Sequence, residues 1–160
     1  VYDGALYACQ SDDAKQRRSK RAVWGMAAIL TVAVAAGGCI PAPGMQNCFY
    51  VLLPYLGEFL GAASVIWALA KLGMDWGTVR EYNYKKSVAV LPVRTAVTAV
   101  FSLLGIVCEL IFFFVNDHAG QTFFALLYVL LKLIALLSVL VLRAEIMQAE
   151  WDKLPKKNNS

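Results

Sequence analysis

Three ionisable side chains stand inside long apolar runs of this chain: Glu58, Glu109 and Lys132. A charge near the centre of a bilayer costs about 2.5 to 3.5 kcal/mol on insertion scales, so each needs a partner or water. Counted from the neighbouring loops, Glu58 and Lys132 each lie ten residues into their runs, about 15 Å, and Glu109 lies six residues in, about 9 Å. Glu58 and Lys132 are therefore expected at one level near the midplane, with Glu109 about one turn nearer the outer side. A lysine between two carboxylates leaves one formal negative charge, which a single proton shared within the group neutralises. That suits a buried site handling protons, ions or a polar substrate. The same residues also suit a buried ion pair that fixes helix register, or a Glu109 that faces a partner subunit. Spacing adds candidates around them. Ser102, Gly105 and Glu109 share one helical face, and Tyr128, Lys132 and Ala135 share another, with Tyr55 beside Glu58 to close the site.

The elements that position these residues follow from hydropathy. Of 160 residues, 59% are apolar and 16% charged, whereas soluble domains are about 25% charged. The apolar excess gathers into four runs, residues 23–40, 48–70, 95–115 and 122–142. About 20 helical residues cross the hydrocarbon core of a bilayer. The later three runs lack the polar face of a soluble amphipathic helix. The expected fold is all-α: a polytopic membrane protein, a four-transmembrane-helix bundle made of two helical hairpins. The first run follows a basic stretch, as in a signal peptide, but its length and the three later runs point to a retained span.

Charge orients the bundle. Of 15 Lys and Arg, five lie in Lys15–Arg21; Lys71, Arg80, Lys85, Lys86 and Arg94 lie between the second and third runs; Arg143, Lys153, Lys156 and Lys157 follow the fourth. Loops 41–47 and 116–121 carry none. The positive-inside rule puts both termini and the central loop in the cytoplasm. This divides the chain into a juxtamembrane segment (1–22), a transmembrane domain (23–142, with cytoplasmic loop 71–94) and a helical C-terminal extension and tail (143–160). Span four is expected to continue as a helix to Pro155. The plasma membrane or a bacterial inner membrane fits best. The basic residues hug the membrane ends, which favours anionic lipid headgroups as partners over nucleic acid.

Small residues suggest packing. Gly57 and Gly61 are four apart, as are Ala33 and Gly37, a spacing that lets helices approach closely. The expectation is contact between spans one and two. Cys39 and Cys48 flank the first outer loop on the oxidising side, where they could form a disulfide or stand as two reduced, packed thiols. Tyr2, Leu6 and Tyr7 suggest a short interfacial helix, and Trp76, Val79 and Tyr82 or Asn83 suggest a partly helical central loop, with Pro92 starting or kinking span three. Phe112, Phe113, Phe114, Phe123 and Phe124 read as lipid-facing anchors. His118 beside Asp117 reads as a polar turn, too few ligands for a metal. The sequence contains no phosphate-binding loop, nucleophile elbow or His-Glu metal motif, and no cofactor is expected.

These readings lead to a small transport- or channel-type protein or subunit, an oligomer or a companion of other membrane subunits. A non-catalytic accessory subunit of a larger complex is the alternative. A lipid-acting enzyme would rest on Arg80, Tyr82, Tyr84 and Lys85 alone.

Overall fold

A computed structural model describes residues 6–9, 13–73, 79–116, 122–149 and 151–153. The elements run β1 (Leu6–Cys9), α1 (Asp13–Cys39), α2 (Pro43–Asn47), α3 (Phe49–Leu72), β2 (Val79–Arg80), α4 (Glu81–Lys86), α5 (Leu91–Val115), α6 (Thr122–Gln148) and β3 (Trp151–Lys153). Four of them, α1, α3, α5 and α6, are long and apolar enough to cross a membrane. At 1.5 Å per residue, lengths of 24 to 27 residues exceed a core of about 30 Å. The chain is thus built as a helical integral membrane protein.

The surface and the interior are inverted relative to a soluble protein. Large apolar side chains point outward on every long helix, among them Val32 on α1, Leu60 on α3, Val100 on α5 and Leu137 on α6. Glu58, Thr95, Thr98, Ser102, Glu109, Lys132 and Ser138 are buried. In lipid, outward apolar groups cost nothing and inward polar groups must satisfy one another.

Local sequence sets the helix ends. Pro92 stands in the first turn of α5, where its missing N–H is of no consequence. Asn116 closes the same helix, its backbone N–H and side-chain amide both donating to the Phe112 carbonyl at 3.1 Å. Gly73 ends α3 with φ of 71° and donates its N–H to the Leu69 carbonyl at 3.1 Å, a left-handed stop that favours glycine.

The neighbour relations differ in part from those expected: α5 packs on α6 as expected, but α1 and α3 are not each other's chief neighbours. α1 packs chiefly against α6, and α3 chiefly against α5, with α5 also on α6. Gly57 and Gly61 therefore do not seat α1. A Cβ on Gly57 would meet the Phe101 ring at 2.5 Å, and one on Gly61 would meet Thr98 Oγ1 at 2.6 Å and Thr98 Cα at 3.3 Å. Ala33 packs with Ala62, Ala135 and Val139, and Gly37 faces the Tyr128 ring at 4.0 Å. Small residues fix how closely a helix can be approached but not which helix approaches.

A small antiparallel sheet, order β2-β1-β3, caps one end of the bundle. Tyr7 pairs with Val79 on one side and with Lys153 on the other. The Tyr7 ring stacks on Tyr84 with centroids 4.1 Å apart and planes 3° from parallel, and Trp151 tilts against Tyr84 at 6.1 Å. Tyr84, Trp151 and Trp24 rest on a core that includes Val23, Leu69, Leu91, Leu142 and Ile146. This corrects two expectations. Leu6 and Tyr7 lie in a strand rather than a helix, and the helical extension after span four ends at Gln148. The physical reason is common to both: pairing with β1 satisfies the backbone of 151–153 while its aromatic covers the exposed core. Tyr2, Trp76, Asp117 and His118 lie outside the described residues.

At this sheet end two arginines tie helices together. Arg94 donates to the Ser64 carbonyl and Arg143 to the Pro92 carbonyl, each at 2.7 Å. At the opposite end, α2 folds inward, with Ala42, Pro43 and Gly44 buried. Cys39 and Cys48, read as either a disulfide or two reduced thiols, are free thiols. Between them 43–47 winds into α2, Cys48 takes the extended N-cap position of α3, and Cys39 stays exposed at the end of α1. The phenylalanine anchors also divide: Phe114 and Phe123 are exposed, but Phe112 turns inward against Tyr50.

Candidate functional site

The site is assembled by three helices. α3 brings Glu58 inward, one turn after Pro54; α6 brings Lys132; α5 brings Ser102, Gly105 and Glu109 on one face. Lys132 Nζ is ion-paired with Glu58 Oε2, and the two side chains are 2% and 0% exposed. The pair fixes both residues at one level of the bundle, as the depth arithmetic requires.

Aromatic rings enclose the ammonium. It lies 4.6 Å from the Tyr55 ring centroid and 5.2 Å from that of Tyr128. A cation over a ring face gains about 2 kcal/mol or more when desolvated. Tyr55 is held in turn by α1, its hydroxyl donating to the Val34 carbonyl at 3.4 Å. A Cβ on Gly38 would collide with that hydroxyl, so the glycine makes room for Tyr55. From the other side, Gly105 leaves room for the lysine stem, whose Cε is 3.7 Å from where a Cβ would stand. Ser102 Oγ donates to the Lys132 carbonyl at 3.2 Å and ties α5 to α6 at this level.

Glu109 is also fully buried but joins a different partner. Its Oε1 accepts the Gly44 N–H at 3.4 Å, and a Cβ at Gly44 would run into the carboxylate. The α2 backbone is seated directly on this side chain. Glu109 thus lies toward the α2 end, and its salt bridge with Lys132 is not made. A crevice of about 20 Å³ between α5 and α6, lined by Glu109, Phe113, Ala125 and Val129, opens beside it.

No protein family, curated protein or solved structure matches this chain. The chemistry must therefore be read from the residues.

Hydrogen bonding separates the site from the rest of the interior. Thr95 bonds the Leu91 carbonyl, Thr98 that of Arg94, Ser102 that of Lys132 and Ser138 that of Ile134. By contrast Glu58 Oε1, Glu109 Oε2 and Tyr128 Oη are buried with no hydrogen-bond partner among the described residues; Ser87 Oγ, near the sheet end, is the one further case. Leaving a buried polar atom unsatisfied costs about 1 to 3 kcal/mol, more for a charged group.

Of the five polar residues singled out in the sequence, Glu58, Lys132, Tyr55 and Tyr128 meet around one ammonium, and Glu109 stands apart from it. Gly38 and Gly44 were not singled out. A Gly-Gly pair and a Pro-Gly step are signals that could have flagged both, but nothing local names Tyr55 and Glu109 as what approaches.

Proposed function

We propose that this is a small membrane protein of transport or channel type, or a subunit of one, whose working site is the intramembrane group Glu58, Lys132 and Glu109 with Tyr55 and Tyr128. The observation that supports it is the set of three buried oxygens without partners in an interior that otherwise bonds nearly every hydroxyl. A pair serving register alone is best made with every lone pair closed, since a half-satisfied buried network is less stable than an apolar core. Open acceptors beside a buried ammonium suit a group that exchanges protons, ions or polar ligands.

The orientation belongs to the same proposal. The sheet end, with exposed Arg17, Arg18 and Arg21 on α1, faces the cytoplasm and its anionic headgroups. The α2 end, without Lys or Arg in 41–47, faces outward. The apolar faces of the four helices meet lipid, further copies of the chain or other membrane subunits.

The test is flux in proteoliposomes, using the purified full chain and a panel of monovalent ions and small polar solutes. Glu58→Gln and Lys132→Met are expected to abolish the flux that the wild type supports. Unchanged flux in both would sink the reading.

A further inference from the structure

The transport reading leaves open what the site carries, and its three open oxygens narrow the choice. Tyr128 stands four residues before Lys132 on α6, one turn nearer the α2 end, the direction in which Glu109 lies. Its ring centroid lies 5.2 Å from the Lys132 ammonium that Glu58 pairs. Glu58 Oε1, Tyr128 Oη and Glu109 Oε2 are thus three buried oxygens between the ion pair and the α2 end, none of them hydrogen-bonded to another in this structure and each free to take a new hydrogen bond.

Charge decides what fits. Two carboxylates face one ammonium, so the group is neutral with one positive charge added. The other titratable groups around it are acids that supply no positive charge. Tyr55 and Tyr50 come from α3 and Cys48 from its N-cap; Cys108 comes from α5 and Cys39 from the end of α1. α2 contributes only the Gly44 N–H. A calcium-like cation takes six to eight oxygen ligands. Here it would find three, spread over more than a helical turn and beside the Lys132 ammonium. A proton needs one oxygen at a time.

We propose that the substrate of this site is the proton, taken up on Glu109 beneath α2 and passed through the Tyr128 hydroxyl to Glu58 beside Lys132. This rests on the transport reading of the same residues. The transfer balances. When side-chain rotation brings the three oxygens within hydrogen-bond reach, the acid O–H of Glu109 breaks as its proton goes to Tyr128 Oη, while the hydroxyl's own proton goes to Glu58 Oε1. Glu109 becomes a carboxylate, Glu58 becomes an acid, and Tyr128 is again a neutral phenol. The Lys132 ammonium stays charged throughout, and the net charge of the group is unchanged: the negative charge moves from Glu58, its ion-pair partner, to Glu109. The Tyr128 hydroxyl carries the proton between the two carboxylates and has no other partner, so Tyr128→Phe removes the relay while keeping the buried ring.

The experiment is infrared difference spectroscopy of the full chain in liposomes, following the carboxylic acid C=O stretch after a pH jump. The expected result is a titrating acid band that shifts in heavy water, is lost in Glu109→Gln and persists in Glu58→Gln. Glu109→Gln keeps the acceptor for the Gly44 N–H, and the heavy-water shift in the wild type needs no variant at all. Tyr128→Phe is expected to keep the Glu109 band and its rate of appearance but to slow about a hundredfold the rise of the Glu58 acid band that follows it, the scale of a lost proton-transfer group. The absence of a titrating band, a band indifferent to Glu109→Gln, or an unchanged rise of the Glu58 band in Tyr128→Phe would each overturn the proposal. Flux of some other solute in a protein with no titrating band would leave the transport reading standing and remove the proton. A titrating band that behaves as expected, in a protein that moves nothing, would support proton binding and transfer and remove transport.

Discussion

Lys132 on α6 and Glu58 on α3 form an ion pair sealed inside the bundle, 2% and 0% exposed. Removing one partner leaves the other charged and buried, at a cost of about 3 to 5 kcal/mol, whereas removing both together is often near neutral. Lys132→Met is therefore expected to lower the unfolding free energy in detergent by that amount. Glu58→Gln combined with Lys132→Met is expected to recover most of it. Equal losses in the single and double variants would mean that the two residues are not coupled.

Gly44 and Glu109 test the seating of α2. A Cβ at Gly44 meets the Glu109 carboxylate and comes within 3.1 Å of Val51 Cγ2. Gly44→Ala is expected to destabilise by about 1 to 3 kcal/mol, the usual range for overpacking. Shortening the obstacle with Glu109→Ala in the same chain is expected to return part of that loss, a coupling readable in a double-mutant cycle of thermal unfolding. Additive losses would show that the contact is not what restrains α2.

Glycine substitutions along the helices separate close approach from propensity. Gly61 faces Thr98 backbone at 3.3 Å, so Gly61→Ala must push α3 from α5; a loss of about 1 to 3 kcal/mol is expected. Gly25 on α1 is exposed and has nothing within 4 Å of a Cβ. Gly25→Ala is expected to be neutral or to stabilise by about 0.5 to 1 kcal/mol. The reverse order of the two variants in a thermal-shift measurement would contradict the α3–α5 contact.

Outside the spans, α4 carries a pH-sensitive pair. Lys86 Nζ donates to the Tyr82 hydroxyl at 2.7 Å, and that hydrogen bond, with the charge of the ammonium, lowers the Tyr82 pKa from its ordinary 10.0. An acid lowered on folding contributes stability above its unfolded pKa and loses it as pH falls through the folded value. The pair therefore adds nothing at neutral pH. The neighbouring Lys85 is raised from 10.5 by its hydrogen bond to Glu81; its contribution is present below 10.5 and lost as pH rises through the folded value. Phenolate absorbance of Tyr82 is expected to appear at lower pH in the wild type than in Lys86→Met. Coincident titrations would contradict the pairing.

Much of this arrangement was legible from residue types. The four runs, and the isolation of Glu58, Glu109 and Lys132 within them, follow from the cost of charge in hydrocarbon. The shared level of Glu58 and Lys132 follows from helical rise alone. What sequence did not show is which surfaces meet. Gly57 and Gly61 mark a close approach, yet Phe101 and Thr98 of α5 fill it because α3 lies on α5. Residues 6–9 and 151–153 are too short and mixed in polarity to announce strands. They pair only because the bundle brings the two ends of the chain together over one core. Phe112 reads like its neighbours Phe113 and Phe114, and only the helix rotation turns it inward.

The central claim is that the Glu58–Lys132 group works rather than merely sets register. The direct measurement is flux through proteoliposomes containing the double variant Glu58→Gln with Lys132→Met, after its fold is verified by the stability recovery described above. The account predicts a stable bundle that carries no flux. A stable double variant with wild-type flux would contradict it.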